Sequence, residues 1–140
     1  MAHEFPSEDW IKTFQTQLND NEEYAEAASD WGVDFNGDFI FTIEADDLYD
    51  QTEHYFVGLE AGECTDAYHV ENPDDEDYGF VYSGPYSNWK EMVNGNIGAI
   101  DGMMSGQFSL DGDMQKVLQA SDAAAALVET SASIETDFKA

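Results

Sequence analysis

The sequence contains no arginine, and its only strong bases are the four lysines Lys12, Lys90, Lys116 and Lys139. Asp and Glu together number 31, which gives a formal net charge of −27 at pH 7. A nucleic-acid-binding protein needs clustered cations to displace the counterions of phosphates, and an anionic membrane surface repels an acidic chain. These absences exclude nucleic acid as a partner and argue against stable membrane insertion.

Cysteine is also scarce, since Cys64 is the only one. A lone cysteine forms no internal disulfide, which suits a reducing compartment. The longest apolar run, "AAAALV" at 123–128, is far shorter than the ~20 residues of a membrane-spanning helix. The first ten residues show neither the basic nor the apolar segment of a signal peptide. We therefore expect a cytoplasmic location.

Sites that carry chemistry are missing as well. Asp34, Asn36 and Asp38 begin an EF-hand-like spacing, but Phe39 stands where that loop needs glycine. The histidines follow no metal-binding pattern, and no serine elbow, phosphate-binding loop or dinucleotide-binding motif is present. We predict no catalytic residue, no metal site and no cofactor. The acidic run 74–77 is typical of a solvated loop, although a loosely held cation there stays open.

High net charge with few aliphatic residues is one signature of disorder, but aromatic residues make up 14% of this chain. Disordered chains are poor in aromatics, so we favour a folded domain with an acidic shell. Proteins of this type occur in halophiles, where molar salt shortens the Debye length to ~3 Å and screens the repulsion between like charges. We expect one domain, 1–140, with loosely ordered tails at 1–6 and 131–140.

The N-terminal half predicts two helices and then four strands. Ser7 is a candidate N-cap for a helix with Trp10, Ile11, Phe14 and Leu18 on one face, and "EEYAEAAS" indicates a second, short helix. Asn36-Gly37 fits either a hairpin turn or a bulge. Residues of alternating polarity predict strands at 38–46, 55–60, 63–70 and 78–84.

The C-terminal part predicts short helices interrupted by one more strand. Ser87 is a candidate cap for a helix that ends at Asn94-Gly95, and Ser121 for the last helix. Between them, "QFSLDG" at 107–112 alternates and predicts the fifth strand. Short turns between strands favour antiparallel pairing, so the fold class is α+β, with a five-stranded, mainly antiparallel sheet covered by several short helices.

Two interpretations of the apolar C-terminal third stay open. Apolar residues at helical spacing are typical of a plain core. However, the helices are short and punctuated by glycine, and methionine is a flexible filler of adaptable apolar surfaces. A cavity between sheet and helices would bind a small apolar ligand. If the core is instead filled, the chain is a protein-interaction or dimerisation module without a ligand.

In order along the chain, "FIFTIEAD", "YFVGLEAGECTDAYHV", "YGFVYSG", "NWKEMVNG", "NIGAIDGMMS" and "GQFSLDGDM" resemble the successive strands and helices of the sterol carrier protein 2 domain family. The similarity extends from about Trp10 to Val128, and the acidity is that of a haloarchaeal-type member. The strand bounded by Gly106 and Gly112 is the most specific segment. The resemblance implies a five-stranded sheet covered by helices, with an apolar tunnel between them.

The same resemblance implies a non-catalytic lipid-binding or lipid-transfer protein. Its ligand would be a fatty acyl, isoprenoid or sterol-like molecule, or another apolar small molecule, and a homodimer is possible. By position in the family pattern, the tunnel-lining residues would be Trp89, Met92, Val93, Ile97, Ile100, Met103, Met104, Phe108, Leu110, Met114, Val117 and Leu118.

Overall fold

The computed structural model describes residues 2–140, and its helices and strands occur largely in separate runs, as expected for an α+β protein. The helices are α1 (Glu8–Asn19), α2 (Glu22–Ala27), α3 (Tyr86–Val93), α4 (Ala99–Met104), α5 (Met114–Gln119) and α6 (Ser121–Ser133). The strands are β1 (His3–Phe5), β2 (Phe39–Glu44), β3 (Glu53–Glu60), β4 (Glu63–Val70), β5 (Phe80–Pro85), β6 (Ser109–Asp111) and β7 (Thr136–Phe138).

Five of these strands form one mixed sheet in the order β4-β3-β2-β5-β6. Three of its four strand pairs are antiparallel, which confirms the predicted fold class, and β2 with β5 is the parallel pair. Because β4 and β5 run in the same direction and β5 lies beside β2, residues 71–79 carry the chain back across a face of the sheet, from the end where β4 finishes to the end where β5 begins. Short turns alone do not reveal this crossing, so the sequence did not indicate the parallel pair.

The helices cover one face of the sheet and bury a large apolar cluster against it. In α1, the buried side chains are Trp10, Ile11, Phe14 and Leu18, as their spacing predicted. Burying each of them stabilises the fold by about 1.5–3 kcal/mol. Helix α6 contacts each of the helices α1 to α5. The opposite sheet face carries a smaller cluster around Ile40, Phe56 and Val70.

Both terminal segments predicted as loose tails contain ordered strands, which corrects that expectation for the described residues; Met1 lies outside them. Strands β1 and β7 pair in parallel, with His3 opposite Thr136 and Phe5 opposite Phe138. The side chain of Phe5 is 3% exposed and packs edge-on against the Trp10 ring, 4.8 Å between centroids. Each strand has only three residues, too few for a recognisable pattern without its partner.

Two of the predicted helix caps are wrong. Pro85 occupies the N-cap of α3, so Ser87 lies inside its first turn and donates its amide to Asp46 Oδ2 at 2.8 Å. Ser121 is the first residue of α6 and makes no capping hydrogen bond. The Ser7 cap is confirmed, since its Oγ accepts the Trp10 amide at 3.0 Å. Ser7 caps its helix because it is the residue just before the first helical residue, whereas Ser87 and Ser121 already lie within the first turn.

The loops bear on two features of the sequence. Asn36 and Gly37 form neither a hairpin nor a bulge: they lie before β2, where Asn36 Oδ1 accepts the Asp38 amide at 2.9 Å. The acidic loop contains a single 3₁₀ turn, Pro73–Asp75, and Asp74, Asp75 and Asp77 are exposed.

Candidate ligand cavity

A cavity lies between the covered face of the sheet and the helices. It encloses about 790 Å³ of space between atoms, including its opening to solvent. Its walls come from the sheet, from α1, α3 and α6, and from single residues of other segments. The lining residues are Phe5, Ser7, Trp10, Ile11, Phe14, Phe39, Phe41, Ile43, Tyr55, Tyr82, Trp89, Met92, Val93, Ala99, Val117, Ala124, Leu127, Val128 and Ser131.

The cavity exists because large aromatic side chains on the sheet face small side chains on α6. The α6 residues in the wall include Ala124 and Ser131, whose side chains are too short to fill the space in front of the sheet. The rings of the wall are held in place: the indole of Trp89 in α3 donates to the Thr42 carbonyl at 2.9 Å and packs against Phe41 of β2, 5.4 Å between centroids. Rigid walls prevent collapse, so the space persists at the cost of lost van der Waals contacts.

The polar side chains in the wall all have partners within the protein. The hydroxyl of Tyr55 donates to Glu53 Oε1 at 2.8 Å, and that of Tyr82 to the Ala99 carbonyl at 2.7 Å. Ser131 Oγ donates to the Val128 carbonyl at 2.7 Å, and Ser7 Oγ to the Glu4 carbonyl. Burial raises the pKa of both tyrosines, so their hydroxyls stay neutral. A ligand inside therefore meets apolar surface and no unengaged polar group of these side chains.

A polar cluster lies behind Tyr55. The carboxylate of Glu53, 13% exposed, accepts the hydroxyls of both Tyr55 and Tyr49. His69 Nε2 lies 3.9 Å from the same carboxylate, and the Tyr49 ring packs 4.9 Å from that of Tyr86. Burial and the hydrogen bond to Glu53 raise the pKa of Tyr49. The cluster holds the Tyr55 ring in the cavity wall.

Four of the twelve predicted tunnel residues, Trp89, Met92, Val93 and Val117, lie in the wall of this cavity. Six others pack in the surrounding core without lining the cavity: Ile97, Ile100, Met103, Phe108, Leu110 and Leu118. Met104 and Met114 lie at the surface, with 65% and 43% of their area exposed. The predicted residues of α3 therefore lie together in the cavity wall, whereas Met104 and Met114 lie away from it.

Phe108 shows why a predicted wall residue lies behind the wall. Its ring stacks on that of Tyr82 at 5.0 Å and meets Trp89 edge-on at 5.2 Å. A Cβ at Gly84 or Gly102 would come within 2.5 and 2.8 Å of the ring, so both positions need glycine to admit it. Phe108 supports the cavity wall from outside.

Most of the wall comes from elements that the sequence analysis did not assign to the site. These are α1, the inner faces of β2, β3 and β5, and α6. Two signals were available: the apolar face Trp10–Ile11–Phe14, and the small residues of "AAAALV". Both have the ordinary meaning of core packing, so neither singles out a cavity.

Among residues 2–140, no three His, Cys, Asp or Glu side chains come together as a metal site would require. Within the same range, no helix has the length and apolar character needed to cross a membrane.

The sequence pattern of the SCP-2 sterol transfer family matches residues 11–125. The crystal structure of a sterol carrier protein 2 is similar with a TM-score of 0.79 at 24% identity, covering 91% of this chain and 97% of that one. A conserved hypothetical protein from Thermus thermophilus, described as possibly a sterol carrier protein, has a TM-score of 0.80 at 23% identity, covering 94% and 90%.

Palmitated SCP2L2 from Aedes aegypti has a TM-score of 0.50 at 11% identity, covering 81% of this chain and 93% of that one. At these identities the likeness is one of fold. No curated protein sequence matches the chain.

Proposed function

Since the chain belongs to the SCP-2 sterol transfer family, we propose that it binds an apolar small molecule in the cavity and carries it without chemical change. The observation that carries the proposal is the cavity wall, which is apolar and in which the hydroxyls of Tyr55, Tyr82, Ser7 and Ser131 are already engaged. Transfer of apolar surface into such a space is favourable by about 25 cal/mol per Å².

The ligand class follows from the same wall. The apolar body of a fatty acyl, isoprenoid or sterol-like molecule matches the apolar wall. The polar headgroup of such a ligand stays at the opening, where water solvates it. The palmitated relative from Aedes aegypti is an instance of the fold with an acyl group. Because the wall hydroxyls serve the protein's own hydrogen bonds, we assign them no catalytic role.

The acidic surface limits the kinds of membrane to which the protein can deliver its ligand. With a net charge of −27, the chain is repelled by anionic membranes and nucleic acid, so we propose brief contact with neutral or cationic surfaces without insertion. A free, buried thiol at Cys64 suits a reducing compartment, so the proposed place of action is the cytoplasm.

The first experiment identifies the cargo. We expect protein purified in high salt to yield a lipid on organic extraction and mass spectrometry. A fluorescent polyene fatty acid should quench the emission of Trp10 and Trp89, which line the cavity.

A pair of variants on α6 makes this test specific. Val128→Trp places a large ring in the cavity wall and is expected to lower probe affinity at least tenfold. Ala125→Trp, on the exposed side of the same helix, is expected to bind as the unaltered chain does. No extracted lipid and no probe quenching in the unaltered protein would overturn the proposal, and a stable dimer on sizing would then favour an interaction module.

A further inference from the structure

A second cavity, which encloses about 290 Å³ of space between atoms including its opening to solvent, lies beside the first towards the N-terminal end of α6. Its walls come from Tyr24 in α2, Trp31, Leu59 in β3, and Ala120 and Ala123 around the start of α6. None of these five residues lines the first cavity. The neighbouring rings are ordered, because the Trp31 indole donates to the Gly37 carbonyl at 2.9 Å.

The two cavities share four lining residues: Phe39, Val117, Ala124 and Leu127. Residues that line both spaces lie where the two cavities adjoin, so these four form the partition between them. Ala124 projects only a methyl group, and Phe39 is fixed by stacking on Phe80 at 5.1 Å and on Trp31 at 5.9 Å. The movable part of the partition is therefore the side chains of Val117 and Leu127.

Leu127 has the greater freedom of the two. Its side chain is only partly buried, whereas Val117 is 8% exposed and is restricted at χ1 by its branched Cβ. A leucine has alternative staggered rotamers separated by small energies, and the adjacent Ala123 and Ala124 leave room for its movement. A flexible chain can pass where a rigid ring system cannot.

Building on the proposed function, we propose that the two cavities form one binding site, in which the apolar chain of the ligand passes Leu127 and ends in the second cavity. The ligand class is accordingly a long, flexible acyl or isoprenoid chain, and the second cavity sets its length. Each methylene that reaches the second cavity adds about 0.8 kcal/mol of binding, about fourfold in affinity.

The test is a chain-length profile. Saturated fatty acids from decanoate to eicosanoate are titrated into the lipid-free protein at high salt by competition with the fluorescent fatty acid. All members carry the same carboxylate, so repulsion by the acidic surface affects every length alike. We expect the affinity to rise along the whole series.

Two variants change opposite features of the second cavity. Ala123→Leu adds volume to a residue that lines only the second cavity, and it is expected to remove the gain for the longest chains while decanoate binds unchanged. Leu127→Ala opens the partition and is expected to raise the affinity for eicosanoate relative to decanoate. Ala125→Leu, on the exposed side of α6, is the matched control.

The outcomes separate the two proposals. If the unaltered protein binds no fatty acid and no probe, the proposed function fails. If it binds, but neither variant alters the dependence on chain length, or both alter every length equally, the joined site is wrong. Thermal unfolding of each variant shows whether it is folded. If Ala123→Leu does not fold, the chain-length profile of Leu127→Ala, which adds no volume, tests the joined site.

Discussion

Cys64 is held in β4 by side chains of the first helix and its C-terminal end. Its amide donates to Asn19 Oδ1 at 2.8 Å, and its carbonyl accepts from Gln15 Nε2 at 3.1 Å and from Asn19 Nδ2 at 3.0 Å. The residue is 2% exposed, and burial raises the pKa of its thiol to about 12, with the nearby carboxylates of Asp66 and Asp38 acting in the same direction. The residue therefore serves packing.

We predict that this thiol is inert in the folded protein. The raised pKa leaves about one thiolate in ten thousand at pH 8, and the thiolate is the reactive form. Ellman's reagent at pH 8 in high salt should therefore label no cysteine within an hour, whereas the chain unfolded in guanidinium should release one equivalent of thionitrobenzoate. Rapid labelling of the folded protein would contradict the buried position.

At the scale of elements, α1 and α6 enclose the cavity but begin in different ways. Helix α1 has Ser7 as a hydrogen-bonding cap and two acidic residues, Glu8 and Asp9, in its first turn, where they favour the positive end of the helix dipole. Helix α6 follows α5 after Ala120 and has no side-chain cap, so its position depends on packing against the other helices.

The difference predicts unequal effects of the same substitution. Ser7→Ala removes the acceptor of the Trp10 amide and is expected to cost about 1 kcal/mol of stability. Ser121→Ala removes no capping bond and, by the good helix propensity of alanine, is expected to change stability by less than about 0.5 kcal/mol. Thermal unfolding in high salt measures both. Equal losses would contradict the assigned caps.

At the scale of the whole molecule, the main feature that affects stability is the large negative net charge. Lysine does little to neutralise the carboxylates directly: Lys12 donates to the Ala67 carbonyl at 2.9 Å, and Lys116 lies 4.4 Å over the Phe35 ring. The net charge of −27 on 140 residues therefore acts as mutual repulsion, which only dissolved ions can screen.

We predict that the fold requires salt. Below roughly 0.5 M potassium chloride the Debye length exceeds ~4 Å, and repulsion should loosen the structure. Circular dichroism during a salt titration should show this loss, with recovery on return to molar salt. Sucrose at matching osmolality should not replace the salt, because it does not screen charge. Unchanged spectra in dilute buffer would contradict the halophile hypothesis.

The strand alternation was sufficient to predict the five-stranded sheet, and the apolar face of α1 predicted which of its residues are buried. Both patterns are local, so they are visible in the sequence. The parallel β2–β5 pair and the β1–β7 pair were not predictable in this way, because each joins segments far apart in the chain. Among the predicted tunnel residues, Met104 and Met114 are exposed because the short helices α4 and α5 turn them outward, a direction that composition does not reveal.

The sequence by itself determined the acidic shell, the α+β class and the family, because charge, periodicity and the order of motifs are properties of the chain. Only the tertiary structure decided where the empty space lies. A cavity is the difference between the volume that the backbone encloses and the volume that side chains fill, and here it arises where short side chains of α6, Ala124 and Ser131, face aromatic rings of the sheet. That juxtaposition exists only after the helices pack, so no stretch of sequence contains it.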